Sequence, residues 1–224
     1  MQINIKNFIE TKLSIARYNL SEFKRYSNLL KIILKIKPKK LLEIGIYKGL
    51  RSLEMIKAAK SFNSEIKFYG FDMFEMFFDK KDILSSELSK KPMKMKIIKG
   101  LLQTHAKIKL IRGNTLKTLH KFPKKNKIDF IFIDGGHSVK TIKNDWSQSK
   151  KLMHKNTIVV FDDFYTGDKN LIKKFGCNKI IESLSNNYLV EYLKPKDYIP
   201  HLKVHVQLVK IMLKKWYLYV EIQF

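Results

Sequence analysis

"KIDFIFIDGGHS", residues 127–138, reads as a short apolar strand that stops on a carboxylate. Phe130 to Ile133 form a continuous apolar run, the pattern of a strand covered on both faces. Asp134 ends it, and Gly135, Gly136 and His137 follow at once. In an open parallel sheet, ligands bind outside the carboxyl ends of the strands. A carboxylate, a flexible turn and an imidazole at such an end mark a site as well as a fold.

The same pattern recurs on either side. "LLEIGIYKG" (41–49), "EIKFYGFD" (65–72), "KIKLIRGN" (107–114) and "TIVVFDDF" (157–164) read as strands. Between them, "LRSLEMIKAAK" (50–60), "KPMKMKIIKGLLQTH" (91–105), "TLKTLHKF" (115–122) and "VKTIKNDWSQSKKLM" (139–153) read as helices. A further helix, "NLIKKFGCNKIIESL" (170–184), precedes two strand-like runs, "NYLVEYL" (187–193) and "KVHVQLVKI" (203–211). Strands alternating with helices predict an α/β fold of Rossmann type, a mostly parallel seven-stranded sheet with helices on both faces.

Ahead of the first strand, Phe8, Ile9, Leu13, Ala16, Leu20, Phe23, Leu30, Ile33 and Leu34 recur at helical spacing until Pro38 breaks the pattern. One or two amphipathic helices, residues 1–38, form an N-terminal extension to a domain spanning 39–224. They either pack on the sheet or make a contact between copies of the chain. The interval from Asp72 to Lys107 is long and aromatic at its start (Phe74, Phe77, Phe78), as for extra structure or a cap over the site.

The net charge of +25 invites an anionic partner such as nucleic acid or a membrane surface. However, only four of the 45 basic residues are Arg (Arg17, Arg25, Arg51, Arg112), and the 41 Lys are spread along the whole chain. That skew suits an A/T-rich coding genome and a solvated Lys surface, and nucleic acid is not the favoured partner. Cys177 is the only cysteine, so no intrachain disulfide can form. No stretch approaches the ~20 apolar residues of a membrane span. Together these predict a soluble, cytoplasmic protein.

The strand ends collect the chemistry. Glu43 and Gly45 close the first, with Gly49 four residues on; Asp72 closes the second, Gly113 and Asn114 the third, and Asp162 with Asp163 the fifth. Glycines let the backbone approach a ligand, and an acid 29 residues after Glu43 lies where dinucleotide folds hold a ribose. The G-x-G-x-x-G spacing of a nicotinamide fold is missing. Asp134, Asp162 and Asp163 end adjacent strands and could share a hard cation such as Mg²⁺, although Asp162 and Asp163 would equally cap the following turn.

The series "LLEIGIYKG", "FYGFDMFE", "IDFIFIDGGHSVKTIKNDW" and "IVVFDDF", Leu41 to Phe164, resembles class I S-adenosylmethionine-dependent methyltransferases. The macrocin O-methyltransferase-like group is the nearer likeness and catechol O-methyltransferase the more distant one. The resemblance implies that Glu43, Gly45 and Gly49 flank the methionine end of S-adenosylmethionine, that Asp72 holds its ribose and that Asn114 contacts its adenine. It further implies Mg²⁺ at Asp134, Asp162 and Asp163, with Asp163 standing where the catechol-type enzymes have Asn. His137 matches their catalytic lysine and becomes the general base beside Asp134. The function so implied is O-methylation of a small-molecule hydroxyl acceptor, a sugar or glycoside, assisted by a divalent metal. The alternatives are an RNA-modifying methyltransferase and a non-catalytic protein that keeps the fold.

Overall fold

The computed structural model describes residues 3–76 and 93–214. Phe77, Phe78 and the middle of the 72–107 interval lie outside the described residues. In chain order the elements are α1 (Ile5–Asn19), α2 (Ser27–Ile36), β1 (Lys40–Ile44), α3 (Leu50–Lys60), β2 (Lys67–Asp72), α4 (Met95–Gln103), β3 (Lys107–Arg112) and α5 (Thr115–Thr118). There follow β4 (Phe130–Ile133), α6 (Val139–Ser149), β5 (Ile158–Thr166), α7 (Lys169–Lys174), α8 (Asn178–Glu182), β6 (Tyr188–Tyr192), β7 (Asp197–Ile199) and β8 (Val204–Leu213).

The sheet runs β3-β2-β1-β4-β5-β8-β6, with β7 paired to β8 off this path. The five strands from β3 to β5 pair in parallel, while β8 is antiparallel to β5, β6 and β7. The seven-stranded path is the predicted one, and the three-residue β7 is an eighth strand with no alternation to announce it. The predicted helix over 170–184 is two, α7 and α8. Gly176 separates them with φ +85°, and a Cβ there would meet the Asp163 carbonyl oxygen at 2.5 Å.

Successive strand residues point to opposite faces, and each face has its own core. Leu41, Phe68, Phe130, Phe132 and Val160 pack against α2, α3 and α4 through Leu29, Leu30, Ile33, Ile56 and Ile98. Leu42, Ile44, Ile131, Ile133 and Phe161 pack against α6 and α8 through Ile142, Trp146, Ile180 and Ile181. The N-terminal helices are thus part of one layer of the sandwich: Leu29, Leu30 and Ile33 are all at most 2% exposed. Glu10 on α1 pairs with Lys57 on α3 at 2.7 Å, and Tyr18 donates to Glu54 at 2.6 Å.

β1 and β4 are neighbours at the centre, and from them the chain winds outward in opposite directions. This is the switch point at which open α/β sheets bind ligands. No helix among the described residues is long and apolar enough to cross a membrane.

Candidate active site

A cavity of about 600 Å³ opens at that switch point, walled by the carboxyl ends of β1, β2, β4 and β5. Gly45 is required by close approach. Its amide donates to Phe71 O at 2.9 Å, and a Cβ would lie 1.8 Å from the Asp134 carbonyl oxygen. Asp72, at the end of β2, knits this loop in place: Oδ2 accepts from the amides of Ile46 (2.6 Å) and Tyr47 (2.9 Å), and Oδ1 from Phe74 (2.6 Å). A carboxylate has about four acceptor sites, and donors among the described residues use three of them.

Of the residues expected at the cofactor, Gly45, Asp72 and Asn114 line the cavity. Asn114 also heads α5, where its side-chain oxygen accepts from Leu116 N at 2.9 Å. Glu43 and Gly49 are not on the wall. Glu43 shares the pleat face of Leu41, so it points under α3, where it is 1% exposed and bonded to Ser52. Burial pushes its carboxyl up to about 8 despite that hydrogen bond. Gly49 precedes α3 with φ +74° and packs near Ile98.

Asp162 and Asp163 sit where the β5–β8 register shifts between Phe161 and Phe164, and Asp163 has φ +62°. Such bulges re-aim side chains at sheet ends. The two carboxylates therefore diverge to different partners. Asp163 Oδ2 meets His137 Nε2 at 3.2 Å. Asp162 is held by Arg25, whose Nε and Nη2 donate to its two oxygens at 2.9 and 3.0 Å. Tyr26 Oη (2.6 Å) and the Asp163 amide (2.8 Å) complete the set.

Arg25 also donates through Nη1 to Asp197 at 2.7 Å. Arg51, on α3, donates to Asp134 at 3.0 Å, and both guanidiniums lie over the Tyr26 ring, at 4.3 and 4.2 Å from its centroid. Each contact is a cation–π arrangement in a largely desolvated setting.

These contacts test the expected Mg²⁺ site. Four donors use the whole acceptor capacity of Asp162, while Asp134 and Asp163 turn to Arg51 and His137. The expected convergence of Asp134, Asp162 and Asp163 on a cation is therefore not formed: as folded, the donor set does not fit a divalent metal, because side chains of the chain itself answer the carboxylates. Charge follows the same division. Burial would raise the Asp162 carboxyl, but Arg25 overrides it and holds it below the ordinary range. Burial pushes Asp134 well above that range, and Arg51 offsets it only in part.

Arg25, Tyr26, Arg51 and Asp197 line the candidate site, and motif reasoning missed them. Their signal was in the composition: in a chain with 41 Lys, two of only four Arg line this cavity, and among the described residues no Lys does.

A three-layer sandwich with strand order 3-2-1-4-5, an antiparallel pair beyond it and a glycine-walled cavity at the switch point define a class I methyltransferase fold. The sequence profile of the family described as "Methyltransferase domain" matches residues 42–164, more than half of the chain, and the chain belongs to that family. No curated protein matches its sequence.

Among solved structures, the O-methyltransferase TomG from Streptomyces achromogenes, in complex with S-adenosylmethionine, is similar at TM-score 0.56 and 14% identity, over 84% of this chain and 78% of that one. An O-methyltransferase from Bacillus cereus, bound to S-adenosylhomocysteine, gives 0.55 and 16%, over 93% and 91%. The N-methyltransferase NodS from Bradyrhizobium japonicum gives 0.56 and 10%, over 86% and 96%. The shared fold does not separate oxygen from nitrogen acceptors.

Proposed function

We propose that the chain transfers the methyl group of S-adenosylmethionine to a hydroxyl of a small molecule held in this cavity. The observation that carries the reading is the His137–Asp163 pair on the wall at the carboxyl ends of β4 and β5. When bound, S-adenosylmethionine supplies an electrophilic methyl on sulfonium and departs as S-adenosylhomocysteine. The cradle for it is the Gly45 loop, with Asp72 to accept from a ribose hydroxyl and Asn114 on the same cavity wall. The volume lies within the ~300–1,000 Å³ usual for small-molecule sites.

An alcohol is a poor nucleophile until its proton leaves. With the Asp163 carboxylate 3.2 Å from its Nε2, the His137 imidazole takes the hydroxyl proton as the oxygen–methyl bond forms and the carbon–sulfur bond breaks. Asp163 stabilises the imidazolium. No step is assigned to a divalent metal.

The wall carries six carboxylates (Glu22, Asp72, Asp134, Asp162, Asp163 and Asp197) against two guanidiniums. That balance, in a chain of net charge +25, suits an acceptor rich in hydroxyl donors, such as a sugar or glycoside. It disfavours phosphate-bearing RNA, whose binding leans on Lys and Arg. Cys177 is fully buried and has no partner cysteine, which suits the reducing cytoplasm.

The test is methyl transfer from labelled S-adenosylmethionine to a panel of hydroxylated acceptors. Wild type should turn over, and His137→Gln should lose about 10²–10⁴-fold in kcat with S-adenosylhomocysteine binding retained. Equal turnover by His137→Gln would remove the base role.

A further inference from the structure

Helix α1 has two apolar faces, and only one is covered. Thr11 and Ile15 face inward, 2% and 8% exposed. On the outer side Ile5, Ile9 and Leu13 are 69%, 52% and 64% exposed, and Leu20 and Phe23, just beyond the helix, are 89% and 55% exposed. At ~100° per residue, Ile5, Ile9 and Leu13 fall within an arc of about 80° and span ~12 Å along the axis.

The borders of this stripe are basic. By the same wheel, Lys12 flanks it on one side and Lys6 on the other, with Arg17, which pairs with Glu54, beyond Lys6; Lys24 follows next to the exposed Glu22. The one acid of α1, Glu10, is taken by Lys57. A second copy of the chain would bring the same cationic border against itself, adding to the repulsion of two chains of net charge +25. An anionic bilayer answers both features, since apolar side chains enter the acyl boundary and Lys and Arg meet lipid phosphates and carboxylates.

We infer that the outer face of α1 docks the protein on an anionic phospholipid surface. Glu22 and Phe23 line the cavity, so docking sets the mouth of the site beside the bilayer. If the methyl-transfer reading holds, acceptors carried at that surface reach the site directly.

The experiment is co-sedimentation with vesicles of phosphatidylcholine alone and with added phosphatidylglycerol, over a salt series. Binding should require phosphatidylglycerol and weaken with salt. The double variant Ile9→Glu/Leu13→Glu, which touches neither core nor cavity, should partition at least about tenfold less while binding S-adenosylhomocysteine as wild type does. Absence of binding to anionic vesicles would overturn the inference. So would a dimer in analytical ultracentrifugation that the same variant dissolves, which would make the face a contact between copies. Failure to bind S-adenosylhomocysteine with vesicle binding intact would instead remove the methyl-transfer reading and leave the docking in place.

Discussion

Replacing Arg25 by Met removes a guanidinium whose side chain is 9% exposed and which bonds carboxylates that are 1% and 2% exposed, Asp162 and Asp197. Breaking a buried ion pair on one side costs about 3–5 kcal/mol, because the remaining charge has lost both water and partner. Met restores the packing of the stem, so the loss at neutral pH should come from charge, about 4 kcal/mol. Its pH dependence distinguishes charge from packing.

In the wild type Asp162 titrates below the ordinary carboxylate range, so its contribution is complete above the unfolded value near about 4 and is lost as the pH falls through the lower folded value. In the variant only the Tyr26 hydroxyl and the Asp163 amide still oppose burial, so the carboxyl titrates higher and its penalty falls on protonation. The deficit should therefore narrow as the pH approaches about 4. Urea unfolding of both proteins at neutral pH and near the acid end measures it. A deficit under about 1 kcal/mol, or one that does not change with pH, would refute the reasoning.

Glu43→Gln should change stability little at acid pH, where the carboxyl is protonated in both states, and should raise it at neutral pH, where the wild type must take up a proton to bury the group. Wild type should lose stability as the pH rises from its ordinary carboxylate value towards about 8, whereas the Gln variant should lack that slope; parallel pH–stability curves would count against it. Gly45→Ala forces a Cβ onto the Asp134 carbonyl at φ +89°, and should cost more than about 3 kcal/mol and abolish S-adenosylhomocysteine binding, read by thermal unfolding and calorimetry. Asp163→Asn removes the carboxylate beside His137, so the acid limb of the pH–rate profile should move to lower pH with KM little changed. An unmoved limb would separate Asp163 from catalysis.

The parallel half of the sheet was legible because doubly covered strands are written as continuous apolar runs that end on polar residues, as "FIFID" does. β7 was not, since three residues carry no period. The N-terminal periodicity was visible but not its direction: Leu30 and Ile33 go to the core, while Ile9, Leu13, Leu20 and Phe23 stay exposed. Spacing shows that apolar residues share a face without showing what covers it. At the site, the strand-end carboxylates were readable one by one. Their partners Arg25, Tyr26 and Asp197 come from distant parts of the chain, and no local motif relates them. Glu43 shows the converse: its position in the motif suggested the ligand, and the pleat sends it under α3.

The central claim is tested most directly by calorimetric titration of S-adenosylhomocysteine into the wild-type chain, once with chelator and once with Mg²⁺. The account predicts one-to-one binding of equal affinity in both, since Arg25, Arg51 and His137 already answer the carboxylates. A natively folded protein that gives no heat would contradict the methyltransferase reading, and binding that appears only with Mg²⁺ would contradict the account of the acidic cluster.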